Sequence, residues 1–475
     1  MKRILTILVS AMLMTAALCI TASASSFDST AEELSTIGMF RGTGNGFELD
    51  RAPTRSEAAI MLVRLYGAEE TAQASYAAGK LTSPFTDVSE TVAPYAAWLY
   101  TNGITKGTTE TTFGGRGQCN LNMYTVFLLR ALGYEDGVDF TYDTAPDFAM
   151  TRGILSSSIL DDTFLRDDLA AITYQALGTD LKDGSTYLLN SLIQSGAVSA
   201  EDAKPITDKI ETYRALAAVS AGTTSMDASL NAKVTMDMTI NATDESGQTV
   251  TETETTEETV TGSVKMILDD DIQMAAEMAV TADGETVRTG TWLKDGWMYT
   301  QTGDMAYKMQ IGDMGEIMEI YQEILSVSNQ AASIMLPYID TISSAKSGSN
   351  TVYTLSVDGS ALNSMMNDVM GLLGAGDLGM GMDMQLTDCT YTYTYTVASN
   401  GQLKTCTAAL GMTMGMDLSD ETGTASIDIA MKMDMDMKVN ATGKDVKISY
   451  PSFSKFVDMG SLITIPEQPA LWGSR

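Results

Sequence analysis

Arg55 is the residue whose placement first suggests chemistry. It lies in the run Thr54-Arg55-Ser56-Glu57, which reads as a capping box. The threonine hydroxyl accepts from the backbone N–H three residues on, and the Glu57 carboxylate reaches back to the N–H of Thr54. Such a box opens a helix, whose positive dipole end disfavours a cation at the first position. A residue that local electrostatics disfavours is a candidate for something other than stability; the plainer alternative is a surface arginine beside a cap. Composition closes off other chemistry. The chain has no histidine, which removes Ser–His and Cys–His nucleophile pairs and every His-containing zinc site. The cysteines form no C-x-x-C pair, and neither a phosphate-loop motif nor a dinucleotide fingerprint is present, so no metal and no cofactor are expected. Two carboxylates suffice to cleave a glycoside, and among 61 acidic residues some pairs stand at suitable distances by chance. Asp269-Asp270-Asp271 reads as a solvated strand end rather than a metal cluster, because charge runs are mostly loops.

The element that must carry Arg55 is amphipathic. Ala58, Met61, Leu62 and Leu65 fall at i, i+3, i+4 and i+7, one apolar face of a helix. The frame recurs with Tyr124, Phe127, Leu128 and Ala131, and again with Leu169, Ile172, Thr173 and Ala176. Each copy ends on a glycine: Gly67, Gly133 and Gly178. Three copies imply a repeat architecture, and units this small must pack on one another to bury a core.

Between these helices lie further motifs. Phe85-Thr86-Asp87-Val88 is followed by Trp98 and by Gly103-Ile104-Thr105-Lys106-Gly107; Ile37-Gly38 with Gly42 precedes the first helix, and Gly153-Ile154 precedes Leu165-Arg166-Asp167-Asp168. With these motifs, residues 27–180 resemble three degenerate S-layer homology (SLH) repeats, at about 27–67, 85–133 and 140–178. That family's pattern is F-x-D-V, a Trp-bearing helix, a G-I-x-x-G turn and a T-R-A-E helix start. No repeat here carries every element, and the second has Asn120-Leu121-Asn122-Met123 where the arginine motif belongs. The resemblance implies an all-α module of pseudo-threefold arrangement that binds secondary cell-wall polysaccharide carrying ketal-linked pyruvate. It would make Arg55 and Arg166 anion anchors, since a planar guanidinium holds a carboxylate through two parallel hydrogen bonds. Exposed helix N–H groups would add donors. Asp87 would accept from a sugar hydroxyl, Trp98 would offer a flat face, and Gly103 and Gly107 would permit close backbone approach. For Trp98 the alternative is that it fills the core of the second repeat.

Residues 181–224 read as a helical extension and linker. Beyond Ser225 the pattern changes to period two, as in Val234, Met236, Met238 and Ile240, and again in Ile429, Met431, Met433, Met435 and Met437. Further strands are expected at 262–268, 272–282, 286–294, 297–302, 351–357, 386–397, 402–416 and 424–439. Hairpin turns are expected at Asp295-Gly296 and Asn400-Gly401. The Thr/Glu run at 249–261 reads as a solvated hairpin loop, and Met314–Ser344 and Ser360–Leu373 as helices over the sheet. A turn at Asn400-Gly401 pairs position 395 with Cys406 and Cys389 with 412, which keeps the two thiols too far apart for a disulfide. This half, 225–460, is similar in outline to the LolA-type lipoprotein carriers. That resemblance implies a curved antiparallel sheet with covering helices, and an apolar ligand held among the methionines. The plainer alternative is a soft core.

Residues 1–24 read as a signal peptide: Lys2 and Arg3, an apolar run from Ile4 to Ile20, then Ala22-Ser23-Ala24. The net charge of −32 repels nucleic acid and anionic lipid. Neither the body of the chain nor the tail at 461–475 offers a membrane span. The expected protein is a secreted, multidomain α+β chain held at the cell wall, with no enzymatic activity. The alternatives are a carrier of apolar or lipid molecules and a cell-surface polysaccharide hydrolase using carboxylates.

Overall fold

The computed structural model describes residues 27–155, 163–221, 224–244, 249–268, 272–282, 284–310, 335–357, 383–420 and 423–458. The signal peptide, the Asp269–Asp271 run, the helices expected at 314–334 and 360–373 and the 461–475 tail lie outside the described residues. Two units are distinguished, one holding Ala22–Arg214 with Met335–Asp340 and the other holding Ala215–Ile334 and Thr341–Arg475.

The first unit is helical. Its elements are α1 (Asp28–Thr36), α2 (Arg55–Leu65), α3 (Glu69–Ala77), α4 (Ala93–Thr101), α5 (Leu121–Ala131), α6 (Ala145–Thr151), α7 (Arg166–Leu177) and α8 (Leu188–Gln194); α9 (Lys204–Ala221) begins in it. The three copies of the apolar frame are α2, α5 and α7. Of the twelve frame positions all but Phe127 and Ala131 are buried, as a shared core requires. Each start is capped differently. Thr54 accepts from the Glu57 N–H while the Glu57 carboxylate accepts from the Thr54 N–H at 2.7 Å, and the Asn120 side chain accepts from the Met123 N–H. Leu165 has no acceptor to offer, so only the Asp168 carboxylate serves there, taking the Leu165 N–H at 2.6 Å.

The copies are stitched together through their backbones. The Arg55 and Ser56 N–H groups donate to the carbonyls of Gly117 (2.8 Å) and Gly115 (3.0 Å), and those of Arg166 and Asp167 to Arg51 (2.9 Å) and Leu49 (3.1 Å). The starts of α2 and α7 thus spend their first amides, which no intrahelical carbonyl can serve, on a loop of another copy. Inside, the Tyr124 hydroxyl meets Thr173 Oγ1 at 2.6 Å. A short 3-10 turn, Leu336–Tyr338, also belongs here: Gln175 Oε1 accepts from the Leu336 N–H at 2.9 Å, and the rings of Phe27 and Tyr338 lie 5.1 Å apart.

The second unit is an open sheet of twelve strands: β1 (Ser225–Asp244), β2 (Thr249–Leu268), β3 (Ile272–Ala282), β4 (Glu285–Lys294), β5 (Trp297–Thr302), β6 (Met305–Gln310), β7 (Ile339–Ser347), β8 (Asn350–Val357), β9 (Asp383–Val397), β10 (Leu403–Asp420), β11 (Gly423–Thr442) and β12 (Val457–Asp458). Their order is β12-β6-β5-β4-β3-β2-β1-β11-β10-β9-β8-β7. From β6 across to β8 the ladders are antiparallel, and β12 runs parallel to β6, which makes the sheet mixed. The expected alternation holds: Val234, Met236, Met431, Met433 and Met435 are buried, while Lys432, Asp434 and Asp436 are exposed. At Asp295-Gly296 both residues have positive φ, 51° and 76°, the backbone of a tight two-residue hairpin.

Two expectations are corrected. The Thr/Glu run at 249–261 is not a loop but the first part of β2, whose backbone groups are engaged along nineteen register positions from Thr249↔Thr243 to Ile267↔Ser225. Composition alone suggested solvent, whereas two flanking strands supply the ladder. The segment 339–344, expected to end a helix, is β7. The β9–β10 hairpin reaches the expected register by a different route. Its loop runs from Ala398 to Gln402 with only Gly401 at positive φ (83°). A register shift between Leu403 and Thr405 then restores Cys406↔Tyr395 and Met412↔Cys389. Cys406 is buried with a free thiol, which burial pushes up to about 12.

Candidate functional site

Of the two arginines at helix starts, only Arg55 keeps a side without protein partners. Its guanidinium lies over the Phe113 ring, 5.3 Å from the centroid, and Nη2 donates to Thr105 Oγ1 at 3.3 Å. Its Nε is buried and has no hydrogen-bond acceptor. Among the described residues it has no ion pair. A guanidinium N–H in that state carries an uncompensated desolvation penalty.

Arg166 has the opposite environment. It is 3% exposed; Nη1 pairs with Glu57 Oε1 at 2.8 Å, Nε donates to the Phe47 carbonyl at 2.9 Å, and the group stacks over Phe40 at 4.7 Å. Glu57 also receives Arg51 at 2.7 Å, so one carboxylate joins two guanidiniums from different copies. Burial pulls the Arg166 guanidinium below its ordinary value against the pull of Glu57. At the matching place in α5 stands Leu121, which cannot bind an anion.

Asp87 does not approach Arg55 directly. Its carboxylate accepts from the Phe113 N–H (2.7 Å) and the Gly114 N–H (2.8 Å), and these bonds hold it below the usual carboxylate range. It fixes the loop that places Phe113 under Arg55. Gly107 (φ 78°) serves the same loop from the other side: a Cβ there would stand 2.5 Å from both Phe85 and the Thr112 carbonyl. We therefore expect Gly107→Ala to cost about 1–3 kcal/mol, from strained backbone and overpacking together; thermal unfolding within a degree of the parent protein would contradict this. Gly103 (φ 70°) has open space about it and closes the turn after α4. Trp98 is half-buried, 5.5 Å from the Tyr66 ring, and packs on the cluster of Phe85, Tyr95 and Leu99.

The structure thus brings together Arg55, Thr105 and Phe113, with Asp87 and Gly107 behind them. Trp98 and Gly103 sit on α4 and its exit, and Arg166 lies within a different, internal ion-pair network. The expected exposed helix N–H groups are not available, because those of Arg55 and Ser56 are bonded to Gly117 and Gly115. Phe113 and Thr105 were not singled out from sequence; Thr105 stands inside the G-I-x-x-G motif, and Phe113 carries no signal until Asp87 is seen to hold it.

Residues 84–120 match the family model of the S-layer homology domain. This stretch is an SLH repeat. It contains Asp87, Trp98, Thr105, Gly107 and Phe113, and it supports association of the chain with cell-wall polymer at the cell surface. No curated protein matches this chain. Among solved structures, the ywiB protein from Bacillus subtilis is 8% identical, covers 44% of this chain and 94% of its own, and has a TM-score of 0.10. A LolA superfamily protein from Nitrosomonas europaea is 8% identical, covering 50% and 96% at a TM-score of 0.14. A beta-barrel-like protein from Brucella abortus is 11% identical, covering 45% and 98% at a TM-score of 0.12. At such TM-scores the likeness carries no argument about this chain. Among the described residues, no group of His, Cys, Asp and Glu is disposed to hold a metal ion, and no helix is long and apolar enough to cross a membrane.

Proposed function

We propose that the helical unit attaches the protein non-covalently to a cell-wall polysaccharide bearing carboxylate groups, pyruvylated sugars being the expected form, and that the β-rich unit is carried there without catalysing a reaction. The observation that supports this most is the Arg55 guanidinium, stacked on Phe113 of the SLH repeat and without an ion pair among the described residues. A carboxylate reaching the guanidinium gains a charge-assisted hydrogen bond, and the Thr105 hydroxyl already orients the group through Nη2. One working anchor in place of three agrees with Leu121 and Arg166 being unsuited to the role.

The test is cosedimentation of the purified chain with cell walls that carry pyruvylated polymer. Arg55→Ala should weaken retention at least tenfold while leaving thermal unfolding unchanged, and walls stripped of pyruvate should retain the parent no better than the variant. Retention of the variant equal to that of the parent would remove Arg55 as the anchor and this reading with it.

A further inference from the structure

The outward face of the β-rich unit contains a groove that the wall-binding reading does not use. It has a volume of about 530 Å³ and crosses four adjacent strands, β2 to β5. One row of register partners runs through it: Ser263↔Glu277, Glu277↔Gly290 and Gly290↔Gln301. The glycine in the middle of that row makes room for a neighbouring ring. The Trp292 indole lies back along its own strand across Gly290, and a Cβ at Gly290 would meet the ring at 2.1 Å. Trp292 is itself 4% exposed, covered on its edges by Phe453 and Phe456, and its indole Nε1 is buried with no hydrogen-bond partner.

Two charges of opposite sign stand in the groove. Arg288 pairs in register with Ala279, two residues along from Glu277, which makes Glu277 and Arg288 diagonal neighbours on the same face. Side chains of that length reach each other from such positions, yet neither makes an ion pair or a side-chain hydrogen bond among the described residues. Other outward charges of this sheet do pair: Lys265 with Asp227 at 3.0 Å, Lys233 with Glu257 at 3.2 Å and Lys308 with Asp458 at 3.5 Å. Gln301 donates its Nε2 to the Gly303 carbonyl at 3.1 Å, which leaves its Oε1 as an acceptor.

We propose that this groove binds a small zwitterion of amino-acid to dipeptide size. Arg288 takes the carboxylate, whose geometry its planar fork matches. Glu277 takes the ammonium, helped by Gln301 Oε1. The Trp292 indole, lying over Gly290, forms the apolar floor against which the ligand backbone rests. A neutral sugar would meet the hydroxyls of Thr261 and Ser263 but would leave both charges without a counter-charge.

Titration of the full chain with alanyl-alanine, followed by tryptophan fluorescence and calorimetry, tests this. Saturable binding is expected, at least tenfold weaker for the N-acetylated and for the C-amidated dipeptide. Glu277→Gln should lose at least tenfold in affinity and cease to discriminate against the acetylated form; Arg288→Gln should do the same for the amidated form. Both residues are exposed, and circular dichroism should confirm that each variant remains folded. Arg55→Ala should bind the dipeptide as the parent does, so failure of the wall-attachment reading leaves this one standing. Absence of saturable binding, equal affinity for the capped forms, or binding of cellobiose in place of the dipeptide overturns the proposal.

Discussion

Arg166→Met should lower the unfolding free energy of the helical unit by roughly 3–5 kcal/mol, the usual cost of removing one partner from a buried ion pair. Methionine keeps much of the stem that stacks on Phe40 but supplies no donor. The Phe47 carbonyl then loses its guanidinium N–H, and Glu57 keeps Arg51 but loses the only charge reaching it from α7. That bond spans two copies of the repeat, so its loss weakens the packing between them as well as one helix start. Denaturant unfolding followed by helix circular dichroism measures the effect. A loss below about 1 kcal/mol, the size of an exposed pair, would mean that Arg51 alone satisfies Glu57.

The helical unit should also lose stability in acid by an amount set largely by Glu57. Burial raises the pKa of this carboxylate. Hydrogen bonds from Arg51 and from Thr54, together with the charge of Arg166, outweigh burial and bring it from 4.5 to about 2. A lowered folded-state pKa means that the stabilisation is fully present above the unfolded value and disappears as pH falls through the folded one. The window is therefore from about 4.5 down to about 2, and the displacement corresponds to about 3 kcal/mol. Stability measured against pH should fall across that interval, and Glu57→Gln should be less stable at neutral pH with a flatter acid limb. Equal slopes for the two proteins would assign the acid sensitivity to other carboxylates.

Much of the scaffold was legible because local periodicity reports which face of an element is buried. Ala58, Met61, Leu62 and Leu65 announced α2 and its two copies. The methionines of 427–439 announced a strand with one apolar face, and β3 and β5 fall at their expected limits, Ile272–Ala282 and Trp297–Thr302. Where composition pointed away from the true state, the reason was non-local. The Thr/Glu run is a strand because β1 and β3 stand on either side of it and complete its backbone hydrogen bonds. Residues 339–344 are a strand beside β8, and Met335–Asp340 opens with a turn that joins the helical unit through Gln175, a partner some 160 positions away. No local pattern encodes either.

By itself the sequence determined that a thrice-used helix would start at Arg55, Leu121 and Arg166, and that an alternating chain would follow it. What became of the two arginines was decided only by the tertiary structure. Both stand at the same place in the same frame, and their own neighbours in sequence do not tell them apart. Arg166 meets Glu57, contributed by another copy, and is consumed in the interior; Arg55 meets Phe113 and a threonine hydroxyl, contributed by a loop that holds no carboxylate for it. A long cationic side chain is committed by whichever acceptor the packing brings within about 3 Å, and that acceptor is a property of the fold.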